Sequence, residues 1–113
     1  MGFSIVLNTA DELRNRVWVR HIPHERQTGD PYNTLFIYLR NSWRDTDSPC
    51  LRFIDPYGQT VFNRLQMPTF IAEWEKISRL AETPEDQELL ARVAALARRC
   101  RDEEGFYLRF IGD

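Results

Sequence analysis

The run from Thr83 to Asp102, TPEDQELLARVAALARRCRD, constrains the fold more than any other part of the chain. Thr83 is an N-cap type, and Pro84 suits the first helical position. The pair Glu85 and Asp86 then occupies the first turn, where the helix dipole favours negative charge. Leu89, Val93, Leu96 and Cys100, joined by Leu90, Ala94 and Ala97, recur at helical spacing. Arg98, Arg99 and Arg101 crowd the last turn, where cations are favoured. The run predicts a helix over Pro84–Asp102 with one wide apolar face. Such a face has to be buried, so the rest of the chain must supply a matching surface.

Part of that surface lies just upstream. Phe70, Trp74, Ile77 and Ala81, joined by Ile71 and Leu80, form a stripe of period 3.6, which predicts a helix over Thr69–Ala81. Glu73, Glu75, Lys76 and Arg79 fall mostly off the stripe. The remainder reads as strands. Phe3–Asn8, Arg16–Ile22 and Thr34–Arg40 are β-branched and apolar. Cys50–Asp55 and Gln59–Asn63 form a hairpin through the turn Asp55-Pro56-Tyr57-Gly58, and Phe106–Ile111 closes the chain after Gly105. The polar stretches Pro23–Asn33 and Asn41–Pro49 read as loops. Strands first and helices later predict an α+β fold. We expect a mostly antiparallel sheet of five to six strands with the two-helix hairpin packed on one face, in a single domain over residues 1–113.

The composition is that of a globular chain, 42% hydrophobic and 28% charged. A net charge of −2 exerts no pull toward nucleic acid or an anionic membrane, and neither is expected as a partner. No stretch approaches the ~20 apolar residues of a membrane helix, and the start MGFSIVLN lacks the basic region of a secretory signal. Val6 stands where a myristoylation site needs Ser or Thr. Cys50 and Cys100 are far apart and outside any C-x-x-C motif, which suits two buried thiols in a reducing cytoplasm, with a single bridge as the alternative.

Leu51-Arg52-Phe53-Ile54 returns as Leu108-Arg109-Phe110-Ile111. Read as strands, both copies send Leu and Phe to the helices. Arg52, Ile54, Arg109 and Ile111, together with Tyr107, then fall on the helix-free face. Arginine and tyrosine there suit a protein interface, and arginine is equally an ordinary solvent-side residue. If Arg52 and Arg109 lie together they mark a binding surface; if Asp55 or Asp113 pairs with them, the repetition is architectural.

The chemical motifs are few. His21, His24 and Glu25 are interrupted by Pro23, so no helix can place both histidines on one face, and no metal is expected. Asp45 and Asp47 lack the glycine and distal glutamate of a calcium loop. There is no phosphate loop, dinucleotide fingerprint or nucleophile elbow, so no cofactor and no catalytic residue is assigned. Asn63, Arg64 and Gln66, just before a helix, cap it or line a pocket with Tyr57.

The stretch DPYGQTVFNRLQ, two helices and a terminal LRFIGD together resemble a group of short, uncharacterised bacterial proteins, over the half of the chain from Cys50 onward. Their size and style look like the immunity proteins of interbacterial toxins, compact α+β modules that block a toxin by binding it. The resemblance transfers no catalytic residue. It implies a non-enzymatic protein-binding module, with a toxin as a partner, through the helix-free face and the loops 23–33 and 41–48. Trp43, Arg44, Asp45, Asp47, Arg52, Tyr57 and Arg109 are the candidate contacts, the acids suiting a basic partner. The alternative is a small-molecule or enzymatic pocket between sheet and helices at Tyr57, Asn63, Arg64 and Gln66. A homodimer through sheet faces or an edge strand is a third reading.

Overall fold

The computed structural model describes residues 2–112. Its strands are β1 (Ser4–Thr9), β2 (Gln27–Gly29), β3 (Gln59–Phe62) and β4 (Phe106–Ile111). Its α-helices are α1 (Ala10–Arg14), α2 (Thr34–Leu39), α3 (Met67–Ser78) and α4 (Pro84–Asp102). The strands pair antiparallel in the order β2-β1-β4-β3, so the first and last strands of the chain form the middle of the sheet.

The helix α4 begins as its sequence requires. The Thr83 hydroxyl accepts from the Asp86 N–H, and Pro84 fills the first turn. Together with α3 it covers one face of the sheet. Phe110 sits at the centre of that layer, 5.8 Å from Phe70, 6.0 Å from Trp74 and 6.1 Å from Phe62 between ring centroids. The Trp74 indole is buried but satisfied, donating to the Leu90 carbonyl at 2.9 Å. Burying each such ring contributes roughly 1.5–3 kcal/mol. Cys50 and Cys100 are both free and buried, and desolvation pushes each thiol up to about 11.

The expectation of five to six strands is overturned: among the described residues the sheet has four. Three predicted strands take other forms. Thr34–Arg40 contains helix α2, because the buried Asp30 carboxylate accepts from the Thr34 and Leu35 N–H groups and caps it. Leu35 and Leu39 are then buried one turn apart while Ile37 is exposed. Arg16–Ile22 bonds to itself, with a 3-10 turn at Val19–His21, and lies as a strap beside the sheet. Cys50–Asp55 cannot form a hairpin arm, because the Glu73 carboxylate takes the Cys50 and Leu51 N–H groups, the latter at 2.9 Å. The segment folds as a 3-10 turn, Leu51–Phe53. Conversely, β2 emerges from the stretch read as a loop.

The two LRFI copies therefore differ. In β4 the period is two: Leu108 and Phe110 are fully buried in the core. In the 3-10 turn the period is three: Leu51 and Ile54 are buried and Phe53 is exposed. The DPYG turn and the last residues touch. The Gly112 N–H donates to the Gly58 carbonyl at 2.6 Å, and a Cβ on Gly112 would stand 2.3 Å from the Pro56 oxygen. Backbone contact alone demands glycine there.

Candidate functional site

On the helix-free face of the sheet, the strap from Leu13 to Arg20 rises beside β3 and β4 and leaves a cleft of about 910 Å³. Its position follows from local backbone chemistry. Thr9 and Glu12 form a capping box on α1. Arg16 then adopts φ +52°, and the Val17 N–H returns to the Glu12 carbonyl at 3.0 Å. This reversal directs Val17, Trp18 and Val19 along the cleft. The opposite wall is Gln59 and Val61 of β3 with Arg109 and Ile111 of β4, whose register places Val61 beside Arg109 and Gln59 beside Ile111.

Arg109 is the unusual group. It is 7% exposed, and its Nε finds no hydrogen-bond partner among the described residues. Within them, its Nη1 donates only a long bond, 3.4 Å, to the Gln59 side chain. Among the described residues no carboxylate pairs with it, and a pairing with Asp113 lies outside them. Burial lowers its pKa, with only the Glu12 charge opposing. Glu12 is already committed: both its oxygens bind Arg26, at 2.9 and 2.8 Å. A buried guanidinium without an ion partner is costly. Above it the rim carries exposed Trp18, with Arg20 stacked 5.5 Å over the indole, and exposed Val61.

The other predicted contacts are dispersed, and several serve local structure. The Trp43 indole donates to the Ile54 carbonyl at 2.8 Å, and with Arg44 it lines a separate hollow beside Phe36. Asp45 accepts from the Asp47 N–H and the Ser48 hydroxyl, while Asp47 is exposed. Arg52 lies over the Phe53 ring at 5.3 Å and does not line the cleft. Tyr57 stands out from the DPYG turn, 79% exposed. Asn63 and Gln66 form a capping box at the 3-10 turn before α3, and Arg64 donates to the Arg101 carbonyl at 2.9 Å. None of these four lines the cleft. Between sheet and helices, where a pocket was the alternative, stands the packed aromatic core.

Sequence reasoning flagged Arg109 and missed Arg16, Trp18, Arg20, Gln59 and Val61. The usable signal was Trp18, an indole flanked by Val17 and Val19 and then by Arg16 and Arg20. Among the described residues, no three His, Cys, Asp or Glu side chains are grouped to hold a metal, and no helix is long and apolar enough to cross a membrane. In comparisons with known proteins, no family model, curated protein or solved structure matches the chain.

Proposed function

We propose that the chain is a protein-binding module that docks its partner on the helix-free face of the sheet, over the cleft between the strap and β3–β4. The observation that carries this reading is Arg109, a buried cation with an unused Nε at the floor of that cleft. A sheet that needed only stability would be served better by an aliphatic side chain there. A partner that completes the hydrogen bonds of Arg109 offsets the cost. Exposed Trp18 and Val61 give the rim the aromatic and apolar anchors of an interface. In its most concrete form the partner is an interbacterial toxin held by stoichiometric occlusion, a form supported by the short α+β chain and its resemblance to immunity-like proteins. Two buried free thiols suit a reducing cytoplasm.

The test is comparative capture from the native host. Wild-type protein and a Trp18→Asp, Val61→Asp variant serve as baits, with folding checked by circular dichroism. Both positions are exposed, so the variant should fold. The reading expects a partner held one-to-one by the wild type and lost by the variant. A partner held equally by both, or no partner at all, sinks it.

A further inference from the structure

We infer that the cleft is a carboxylate receptor, seating an aspartate or glutamate side chain of a protein partner, flanked by apolar residues, on the Arg109 guanidinium. The inference deepens the reading above and rests on it for the claim that the occupant belongs to a protein.

The sign of the occupant follows from the lining. Among the described residues, three arginines, Arg16, Arg20 and Arg109, contribute to the cleft, and no carboxylate does. Its shape follows from the guanidinium. Nη1 is turned to Gln59, whereas Nε has no partner and Nη2 donates to none of the described residues. The unpaired edge carries Nε–H and Nη2–H side by side, and these match the two oxygens of a carboxylate in a fork-to-fork pair once the occupant displaces the packing over the buried Nε. The apolar character of the occupant follows from the walls. Val17, Val19, Val61 and Ile111 line the same cleft as the cation and offer nothing to a heavily hydrated phosphate dianion. The volume, about 910 Å³, far exceeds one carboxylate and leaves room for neighbouring side chains. Arg16 and Arg20 are exposed at the rim, where they steer an acidic segment inward and make association dependent on salt.

The hollow beside Phe36 lacks a buried cation, since its Arg40 and Arg44 are both exposed. The groove between α3 and α4 carries Glu75 beside Arg79 and Arg98, so its charges are mixed.

The experiment is an NMR titration of the full chain, following backbone amides and the arginine Nε–H resonances. The probes are a capped tripeptide with glutamate between two leucines, the same peptide with glutamine, and inorganic phosphate. The glutamate peptide should move the Arg109 Nε–H and the Val17 and Val61 amides saturably. The glutamine peptide should bind roughly tenfold or more weakly, as expected on losing a charge-assisted pair. Arg109→Met should abolish the response. Arg20→Glu, at an exposed position that leaves the fold intact, should weaken it and flatten its salt dependence. Equal binding of both peptides, phosphate binding as tightly as the glutamate peptide, shifts that map elsewhere, or no saturable shift from any probe would each overturn the inference. Glutamate-dependent binding in the titration, with no cleft-dependent protein in the capture experiment, would leave the receptor standing and remove the protein-docking reading alone.

Discussion

Replacing Arg109 with methionine should make the protein more stable, although Arg109 lies in a central strand and is only 7% exposed. The working is direct. Its single described hydrogen bond is 3.4 Å long and reaches the exposed Gln59 side chain, so its loss costs little. The buried Nε without a partner carries a desolvation penalty of about 1–3 kcal/mol, which the substitution removes. Methionine keeps an unbranched stem of similar reach, so packing against Val6 and Val61, its register neighbours, is largely retained. The net expectation is a gain of about 1–3 kcal/mol. At ~2.1 cal/mol/K per residue, a chain of 113 residues has an unfolding entropy near ~240 cal/mol/K, and the melting temperature should rise by roughly 4–12 °C. Urea denaturation of both proteins is the assay, with an unchanged m-value required to show that the two states expose the same surface. A loss of 1 kcal/mol or more at constant m would refute the reasoning. It would make Arg109 part of the architecture rather than a cation reserved for a partner.

Glu12 is held down to about 2, chiefly by its hydrogen bonds to Arg26 and against some desolvation, from an ordinary 4.5. Because the folded value is the lower one, the pair's contribution, on the order of 2–3 kcal/mol, is present above about pH 4.5 and lost as the pH falls toward 2. Glu12→Gln should flatten that part of the stability–pH curve; an unchanged acid slope would count against the pair. Glu73→Ala should destabilise by about 2–4 kcal/mol, since it strands the Cys50 and Leu51 N–H groups, and hydrogen exchange at Leu51 should accelerate with it. Gly112→Ala should cost about 1–3 kcal/mol, because the new methyl group meets the Pro56 carbonyl; a neutral result in thermal melts would contradict the contact. With both thiols buried and raised to about 11, Ellman's reagent at pH 8 should find roughly one thiolate in a thousand and react only as the protein unfolds.

What the linear chain determines is clearest where the determining groups are neighbours. The helix Pro84–Asp102 was legible because its cap, its proline, its charges and its period all lie within one stretch and agree. The strand Phe106–Ile111 was legible for the same reason, with Gly105 (φ +89°) before it and two-residue alternation within it. Elsewhere the deciding group sits far away in sequence. Cys50–Asp55 has the composition of a strand, but Glu73, 22 or 23 residues on, claims its N–H groups. Thr34–Arg40 has the composition of a strand too, and a single buried Asp30 makes it a helix. Short apolar runs fit either period, so distant hydrogen bonds choose between them.

The candidate site divides in the same way. The sequence by itself placed Arg109 on the strand face opposite Leu108 and Phe110, because side chains alternate along a strand. It could not place Arg52 correctly, because the same four letters follow period two beside a pairing strand and period three beside a capturing carboxylate. Nor could it assemble the cleft. That required the Arg16 reversal, which turns a predicted strand into a strap, and the β3–β4 register, which sets Val61 against Arg109. The strand pattern belongs to the sequence. The isolation of a buried cation beneath an open cleft belongs to the tertiary structure alone, because only packing decides which charges water and partners can reach.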